Sequence, residues 1–285
     1  RYDYRVKTGD LVSEVSSFVT PGDPALEGAS RFIVVSDMQI DNGNPSVWRE
    51  IVEEGIIPFT TAEHGGDVAD AVDIVMIPGD LVDQGWDIGD WREDFFPMSS
   101  ALSAQVPIYP VLGNHEGGTP FFFDYFRLPE NGTATFLEHW WWHDQGNVRM
   151  IGLDSNSGFR MQVQLDWLDD VLQTTCNDPA IDFVFAQLHH PFKSELWIPG
   201  EVDYTGDVIS RLETFSTTCD KPSIHFFGHT HGYSRGQSRD HRHLWVNAAT
   251  AGGNIDYWGE YEQVDYDEFT VTTDDWGFVF VEVSA

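Results

Sequence analysis

Side chains that commonly bind metal ions follow five apolar runs of the sequence, at the point where each run ends. These segments are residues 36–39, 79–83, 113–116, 189–191 and 228–231. In open α/β sheets, ligands bind beyond the carboxyl ends of the strands, because the loops converge there above a rigid platform. The sequence therefore predicts that five distant segments meet in one crevice.

The donor types and their spacing indicate a metal site. Asp37 with Gln39, and His229 with His231, are two residues apart, so on an extended segment each pair points the same way. Oxygen and imidazole donors together suit Mn, Fe or Zn, with Ca and Mg as further candidates. The seven candidate ligands exceed the needs of one ion and predict two divalent or trivalent ions, with Asp80 as the shared carboxylate: Asp37, Gln39, Asp80, Asn114, His189, His229 and His231.

The apolar runs that precede these segments have the length and composition of buried strands. They are 32–35, 72–77, 108–112, 150–153, 183–188 and 224–227. Helical patterns at 45–54 and 161–172 lie between some of them, and this alternation predicts an α/β domain. Runs at 244–246 and 278–283 lack a long helix between them and predict antiparallel additions to a sheet.

The composition changes along the chain and predicts its domain organisation. Residues 1–30 mix charge, Gly and Pro and predict an extended lead-in, whereas 31–285 predict a single domain. An aromatic-rich insertion is expected around 117–147. Its two aromatic clusters, 121–126 and 140–142, either pack the insertion itself or form a hydrophobic rim around a leaving group.

The composition excludes several classes of partner. The chain of 285 residues has 47 acidic and 15 basic residues, a formal net charge of −32. Such a chain repels nucleic-acid polymers and anionic membrane surfaces. Its 41% hydrophobic and 14% aromatic residues are too many for a disordered chain. No apolar run approaches the roughly 20 residues that a membrane span needs.

The two cysteines, Cys176 and Cys219, each stand between a helical stretch and a strand-like run, which predicts that they lie at the same edge of a sheet. They either form a disulfide, as in oxidising compartments, or remain buried thiols. The chain starts at Arg1, and we expect a processed, exported protein that is secreted or periplasmic.

Taken together, the five blocks resemble those of the calcineurin-like metallophosphoesterase superfamily over residues 31–250. The segments 125–132, 146–154 and 232–235 resemble its purple-acid-phosphatase-like branch. The resemblance implies a four-layer αββα sandwich, in which two mixed β-sheets are flanked by helices.

The resemblance also implies how the ligands are shared between two ions. One ion takes Asp37, Gln39, Asp80 and His231, and the other takes Asp80, Asn114, His189 and His229. Two positions depart from the family pattern. Most members have His where Gln39 stands, and purple acid phosphatases have an iron-binding Tyr where Asp83 stands, so the metal identity stays open.

By the same resemblance, a metal-bound hydroxide hydrolyses a small phosphoester, with His115 as general acid and Asp83 as its orienting partner. We expect a phosphate monoesterase. A phosphodiesterase for nucleotide or phospholipid-type diesters is an alternative, and a metal-stabilised binding protein with little turnover is another. Candidate substrate contacts are His190, Tyr233 and Arg235, together with Trp86 and Trp197, which follow the motif segments closely.

Overall fold

Short apolar strands form two large β-sheets in the computed structural model, which describes residues 1–20, 29–40 and 45–284. The strands in that part of the chain are β1 (Tyr2–Tyr4), β2 (Lys7–Thr8), β3 (Leu11–Val12), β4 (Ser16–Phe18), β5 (Ser30–Val34), β6 (Ile74–Ile77), β7 (Ile108–Pro110), β8 (Trp141–Gln145), β9 (Val148–Gly152), β10 (Phe183–Gln187), β11 (Ser223–Phe227), β12 (Gly232–Gln237), β13 (His243–Ala249), β14 (Phe269–Thr273) and β15 (Val279–Val283).

The α-helices of the same residues are α1 (Val47–Glu50), α2 (Ile57–His64), α3 (Val68–Ala71), α4 (Phe96–Ser103), α5 (Pro120–Tyr125), α6 (Gln162–Cys176) and α7 (Asp203–Thr218). A π-helical segment, Ile51–Ile56, joins α1 to α2, and another, Asp90–Phe95, leads into α4. The predicted helices at 45–54 and 161–172 correspond to the first of these joined helices and to α6. Among the described residues, no helix has the length and apolar character that crossing a membrane requires.

The smaller sheet has the strand order β15-β5-β6-β7. Strands β5, β6 and β7 are parallel, and β15 pairs antiparallel with β5. All four residues of β6 are buried, as expected for a strand covered on both faces. The parallel strands end just before the segments that carry Asp37, Asp80 and Asn114.

The larger sheet has seven strands in the order β14-β12-β13-β11-β10-β9-β8. Its centre, from β13 through β11 and β10 to β9, is parallel, whereas β8, β12 and β14 pair antiparallel. Strands β10 and β11 end just before the segments that carry His189 and His229. Because the sheets contain both pairing directions, the predicted mixed α/β architecture with helix-flanked mixed sheets is confirmed.

The two sheets pack face to face through apolar side chains. Phe32 on β5 and Phe185 on β10 meet edge to face with ring centroids 5.2 Å apart. Helices α6 and α7 cover the larger sheet, and Leu168 and Leu212 pack there against Val184. Trp48 on α1 is buried in the core cluster that contains the smaller sheet. The strands therefore lie between two helical layers, which holds their carboxyl ends in fixed positions.

The N-terminal residues form two small hairpins rather than a strand of either large sheet. Strand β1 pairs with β4, and β2 pairs with β3. The Tyr4 hydroxyl donates to the Ala104 carbonyl at 2.7 Å, and Arg1 forms ion pairs with Asp67 and Asp70. The Pro- and Gly-containing stretch at 21–24, part of the predicted lead-in, lies outside the described residues.

The aromatic clusters of the predicted insertion lie in the protein interior. Trp141 begins β8 at the edge of the larger sheet, and Trp140 and Trp141 are both buried. Phe122 on α5 is buried against Phe126 with ring centroids 5.3 Å apart. These side chains therefore pack the fold, which is the first of the two interpretations above.

A disulfide joins Cys176 at the end of α6 to Cys219 just after α7, with a Cα–Cα distance of 5.3 Å. The predicted placement of both residues at one edge of the sheet is confirmed, and the alternative of two free thiols is wrong. The bond closes a loop with a sequence separation of 43 residues, across β10 and the segment that carries His189.

We expect the double variant Cys176→Ser/Cys219→Ser to lose about 4 kcal/mol of unfolding free energy, because a loop of this length restricts the unfolded chain by that amount. Urea unfolding, monitored by tryptophan fluorescence, measures the loss. Reduction of the wild-type protein should lower its stability to a similar value and leave the variant unchanged. Equal stability of wild type and variant would contradict this role.

Candidate metal centre

The loops that follow β5, β6, β7, β10 and β11 converge on one centre above the carboxyl ends of both sheets. Asp37, Asp80 and His229 each adopt a positive φ, at 60°, 52° and 73°. Such a conformation is uncommon for residues other than glycine and concentrates at functional sites. The chain therefore turns sharply at these three residues, after β5, β6 and β11.

Two glycines allow the turns to approach the buried carboxylates. A Cβ atom at Gly113 would collide with the side chain of Asp80, and one at Gly228 would collide with the side chain of Asp37. The carboxylates accept backbone N–H groups at these places: His115 donates to Asp80 at 3.0 Å, and His229 donates to Asp37 at 2.9 Å.

Four of the seven candidate ligands, Asp80 included, gather at one place. Asp80 Oδ2 lies 3.0 Å from His189 Nε2, and the same nitrogen lies 3.0 Å from Asn114 Oδ1. Ligand atoms of Asp80, His189 and His229 all lie within 4.8 Å of one another. One oxygen and two imidazole nitrogens at this spacing can hold a divalent ion.

The other candidate ligands gather around Asp37. His231 Nε2 lies 3.3 Å from Asp37 Oδ1 and 3.1 Å from Gln39 Nε2. Gln39 Oε1 is buried and has no hydrogen-bond partner, and an orphaned buried acceptor is costly unless something binds it. A half-turn of the amide exchanges its oxygen and nitrogen. The side chain can therefore offer an oxygen to a cation at this place, and the donor set fits a second ion.

Backbone carbonyls hold two of the imidazole rings with Nε2 toward the centre. His189 Nδ1 donates to the Pro78 carbonyl at 2.9 Å, and His231 Nδ1 donates to the Asn254 carbonyl at 2.6 Å. Such partners fix the tautomer and orientation of metal-binding histidines. Both rings are therefore arranged as ligands through Nε2.

The buried charges shift the pKa values of these groups strongly. Burial lowers the pKa of His189, but Asp80 outweighs it and raises the value to about 9. Burial also opposes the charged form of His231, whose contact with Asp37 raises its pKa to about 9. His189 and His115 hold the pKa of Asp80 well below its usual range despite its burial. A cation that binds here therefore competes with protons on His189 and His231.

Glu116 supports the site from below. It is fully buried, and its carboxylate accepts the N–H groups of Gly113 at 2.7 Å, Leu81 at 2.8 Å and Asp80 at 3.0 Å. Burial and the nearby Asp80 raise the pKa of Glu116 to about 7. One side chain thus ties together the loops that carry Asp80 and Asn114.

His115 lies beside the ligand cluster with part of its ring exposed. Its Nδ1 donates to the backbone carbonyl of Asp83 at 2.7 Å, whereas the Asp83 carboxylate is 3.4 Å away. The contact that orients the ring is therefore made mainly by the main chain of Asp83 rather than by its side chain. His115 Nε2 lies 3.8 Å from Asp80 Oδ2.

The candidate substrate contacts His190, Tyr233 and Arg235 lie in different parts of the structure. His190 lies behind the centre, where its Nδ1 is 2.9 Å from Ser155 Oγ and its ring packs on His229. Burial, followed by the neighbouring His189 and His229, lowers the pKa of His190 to about 2. Tyr233 and Arg235 line a different cavity, of about 390 Å³, so substrate contact by them stays a prediction that their placement does not favour.

A cavity of about 610 Å³ opens directly over the centre. Trp197, which follows the segment of His189, lies on its wall, and substrate contact by this residue stays a prediction. The rest of the outer wall comes from the segment after β13 and from Trp276. The sequence did not predict these residues, because none of them belongs to a segment that directly follows an apolar run. The wall residues are Trp197, Asn254, Ile255, Asp256, Tyr257, Glu260, Tyr261 and Trp276.

Solved structures with the same fold include a phosphatase and an anchor protein. Purple acid phosphatase PPD1 from yellow lupin (Lupinus luteus) seeds aligns with a TM-score of 0.70 and 15% identity, over 96% of this chain and 52% of its own. PhoD aligns with a TM-score of 0.67 and 13% identity, over 99% of this chain and 69% of its own.

GAP50, the anchor in the inner membrane complex of Plasmodium, aligns with a TM-score of 0.62 and 14% identity, over 90% of this chain and 81% of its own. This chain spans about half the length of the lupin enzyme. At these identities the likeness shows a shared fold and no more. A comparison with curated proteins found no match.

A family model shows to which family the chain belongs, which the solved structures at these identities do not show. The model for calcineurin-like phosphoesterase matches residues 30–233, which include every candidate metal ligand and His115. The match begins at β5 and ends in β12, so it contains all five converging loops. The resemblance inferred from the five motifs is confirmed, and the chain belongs to the calcineurin-like phosphoesterase family.

Proposed function

We propose that this protein hydrolyses phosphate monoesters at a centre of two metal ions. The observation that carries the proposal is the position of His115, which stands beside the ligand cluster and faces the open cavity above it. A site that only stabilised the fold would need the ligands but would not need a proton donor at the cavity.

In this proposal, Asp80 is the ligand common to both ions. Asp37, Gln39 and His231 complete one set, and Asn114, His189 and His229 complete the other. Mn, Fe or Zn fit the mixed donors best, and Ca or Mg are further candidates. The neutral Gln39 and the absence of a Tyr at position 83 argue against an iron–tyrosinate centre.

Two ions in such a site supply positive charge for the phosphoryl oxygens and acidify bound water. His115 acts on the leaving group. Its Nδ1 proton is engaged by the Asp83 carbonyl, which leaves Nε2 to deliver a proton to the departing ester oxygen. Asp83 is thus a positioning residue, and Glu116 holds the loops of Asp80 and Asn114 in register.

The two alternatives each have one supporting observation. The cavity of about 610 Å³ has room for the second substituent of a diester, which favours a phosphodiesterase. The neutral ligand Gln39 favours a metal-stabilised binding protein. His115 at the cavity is our reason to prefer an esterase over the binding protein, and the choice between monoester and diester is left to the assay below. We further propose that the protein is secreted or periplasmic, since disulfides persist in oxidising compartments.

Hydrolysis of p-nitrophenyl phosphate and bis-p-nitrophenyl phosphate tests the proposal. We expect chelation to abolish turnover, and re-addition of Mn²⁺, Zn²⁺ or Fe²⁺ to restore it with the monoester as the better substrate. Preference for the diester would replace the monoesterase with the phosphodiesterase. Failure of every metal, Ca²⁺ and Mg²⁺ included, on a broad ester panel would reject the enzyme.

Asp80→Asn should weaken binding of both ions, because it removes the shared negative charge. Loss of a residue that merely supports a metal ligand costs about 10- to 100-fold in affinity, so we expect at least that here. Titration with Mn²⁺ followed by elemental analysis measures the change. Asp83→Asn, in the same loop, is the control that should keep both ions, and full occupancy in Asp80→Asn would reject the shared ligand.

His115→Ala should lose more kcat on phenyl phosphate than on p-nitrophenyl phosphate, because only the poorer leaving group needs a proton. General acid catalysis contributes about 10²- to 10⁴-fold, so we expect a loss in that range on the former and a much smaller one on the latter. His241→Ala, at a surface histidine bonded to Thr217, is the control. Equal losses on both esters would remove His115 from this role.

A further inference from the structure

The outer wall of the cavity over the centre combines aromatic rings with carboxylates. Trp197, Tyr257, Tyr261 and Trp276 line it, and the last three are 53%, 43% and 39% exposed. Large aromatic side chains that stay this exposed around a concave site commonly mark a ligand-binding surface. The wall is therefore suited to bind a part of the substrate other than the phosphoryl group, which the centre would hold.

The segment that carries the wall is fixed to the metal centre by hydrogen bonds. Asp256 accepts the N–H of His231 at 2.7 Å, and its own N–H donates to the His231 carbonyl at 2.8 Å. The Trp276 indole donates to the Gly253 carbonyl at 3.1 Å. The wall is therefore held beside the candidate ligand His231, in the same cavity that His115 lines.

The ring geometry selects the shape of the occupant. Trp197 and Tyr261 have centroids 6.2 Å apart and planes inclined by 55°. Because the two faces are not parallel, a flat ring could stack on only one of them at a time. A compact, rounded group can touch both inclined faces at once. The geometry thus favours an ammonium-type group over a nucleobase.

The charge of the wall selects the same kind of group. Glu260 is exposed beside Tyr261, and its carboxylate is oriented by the N–H of Tyr257 at 3.2 Å. The described residues that line the cavity include no lysine or arginine. A second phosphate would find no cationic partner on this wall, whereas an ammonium would find ring faces and a carboxylate. Aromatic faces attract cations, most strongly quaternary ammonium groups.

We propose that this wall binds a cationic amine on the leaving alcohol, so that the substrates are phosphoesters of amino alcohols such as choline or ethanolamine. This inference rests on the proposed phosphoesterase function. In the reaction, a water oxygen forms a new bond to phosphorus and the ester P–O bond breaks. The proton from His115 then goes to the amino-alcohol oxygen.

Binding of the alcohol product tests the wall without relying on turnover. Choline and 3,3-dimethyl-1-butanol have the same shape and differ in the positive charge. In calorimetric titrations of the purified protein at fixed salt, we expect choline to bind at least about tenfold more tightly, as a cation–π site of this kind predicts. Equal binding, or tighter binding of the neutral alcohol, would overturn the proposal.

Variants locate the binding on the wall. Trp197→Leu and Glu260→Gln should each reduce the preference for choline to near unity. Two substitutions in the same segment serve as matched controls, Trp258→Leu and Glu262→Gln, since both residues are exposed and neither lines the cavity. An unchanged preference in Trp197→Leu and Glu260→Gln, or an equal loss in the controls, would remove the amine site from this wall.

Hydrolysis then identifies the source of the amine. We expect a higher kcat/KM for phosphocholine than for 3,3-dimethylbutyl phosphate, or release of choline from phosphatidylcholine vesicles, a diester cleavage that would also replace the monoesterase with the phosphodiesterase. The first result assigns a soluble ester and the second a lipid headgroup. Preference for adenosine monophosphate over every amino-alcohol ester would overturn the proposal. If p-nitrophenyl phosphate is also not hydrolysed, the proposed phosphoesterase function is rejected. The choline titration still tests the amine site, because it does not depend on turnover.

Discussion

Two buried carboxylates, Asp37 and Asp80, impose the main physical constraint on this protein. Their side chains are 0% and 1% exposed, and an isolated buried carboxylate is strongly unfavourable. The fold compensates them with the imidazoles of His189 and His231 and with backbone N–H groups of His115 and His229. Divalent cations at the same place would compensate them further. Most features of the site follow from keeping these charges buried and paired.

The two-sheet architecture makes that arrangement available. Parallel strands of both sheets end at the same edge, so residues more than 190 positions apart, such as Asp37 and His229, come into hydrogen-bond contact. The loops must turn within one or two residues, and this explains the positive φ values at Asp37, Asp80 and His229. Glu116, buried below the loops, provides the acceptors that their N–H groups would otherwise lack.

The net charge of the whole chain does not determine the local charge of the crevice. A net charge of −32 repels polyanions, yet two divalent ions against Asp37 and Asp80 would leave the centre locally positive. With such ions bound, an anionic protein could therefore bind a small phosphoester, as we propose. The outer wall is acidic and aromatic, and in our proposal it selects the leaving group rather than binding phosphate.

The sequence by itself determined much of the centre and of the framework. The apolar runs predicted from local information that candidate ligands such as Asp80 and His189 follow buried strands, and in the structure they lie just after β6 and β10. The sequence did not predict strands β8, β12 and β14, because they are short, polar or rich in glycine and depend on pairing with β9, β13 and β12, respectively. The sequence left the pairing of Cys176 with Cys219 open, because that pairing depends on where α6 and α7 end in the folded protein.

Only the tertiary structure decided what surrounds the ligands. It showed that the Asp83 main chain orients His115, that Arg235 lines another cavity, and that Tyr257, Glu260 and Tyr261 form the wall. No local pattern marks such residues, because their role comes from proximity across loops that the sheets bring together. A strand's own residues encode its burial and its end, whereas contacts between distant loops exist only after the sheets have packed.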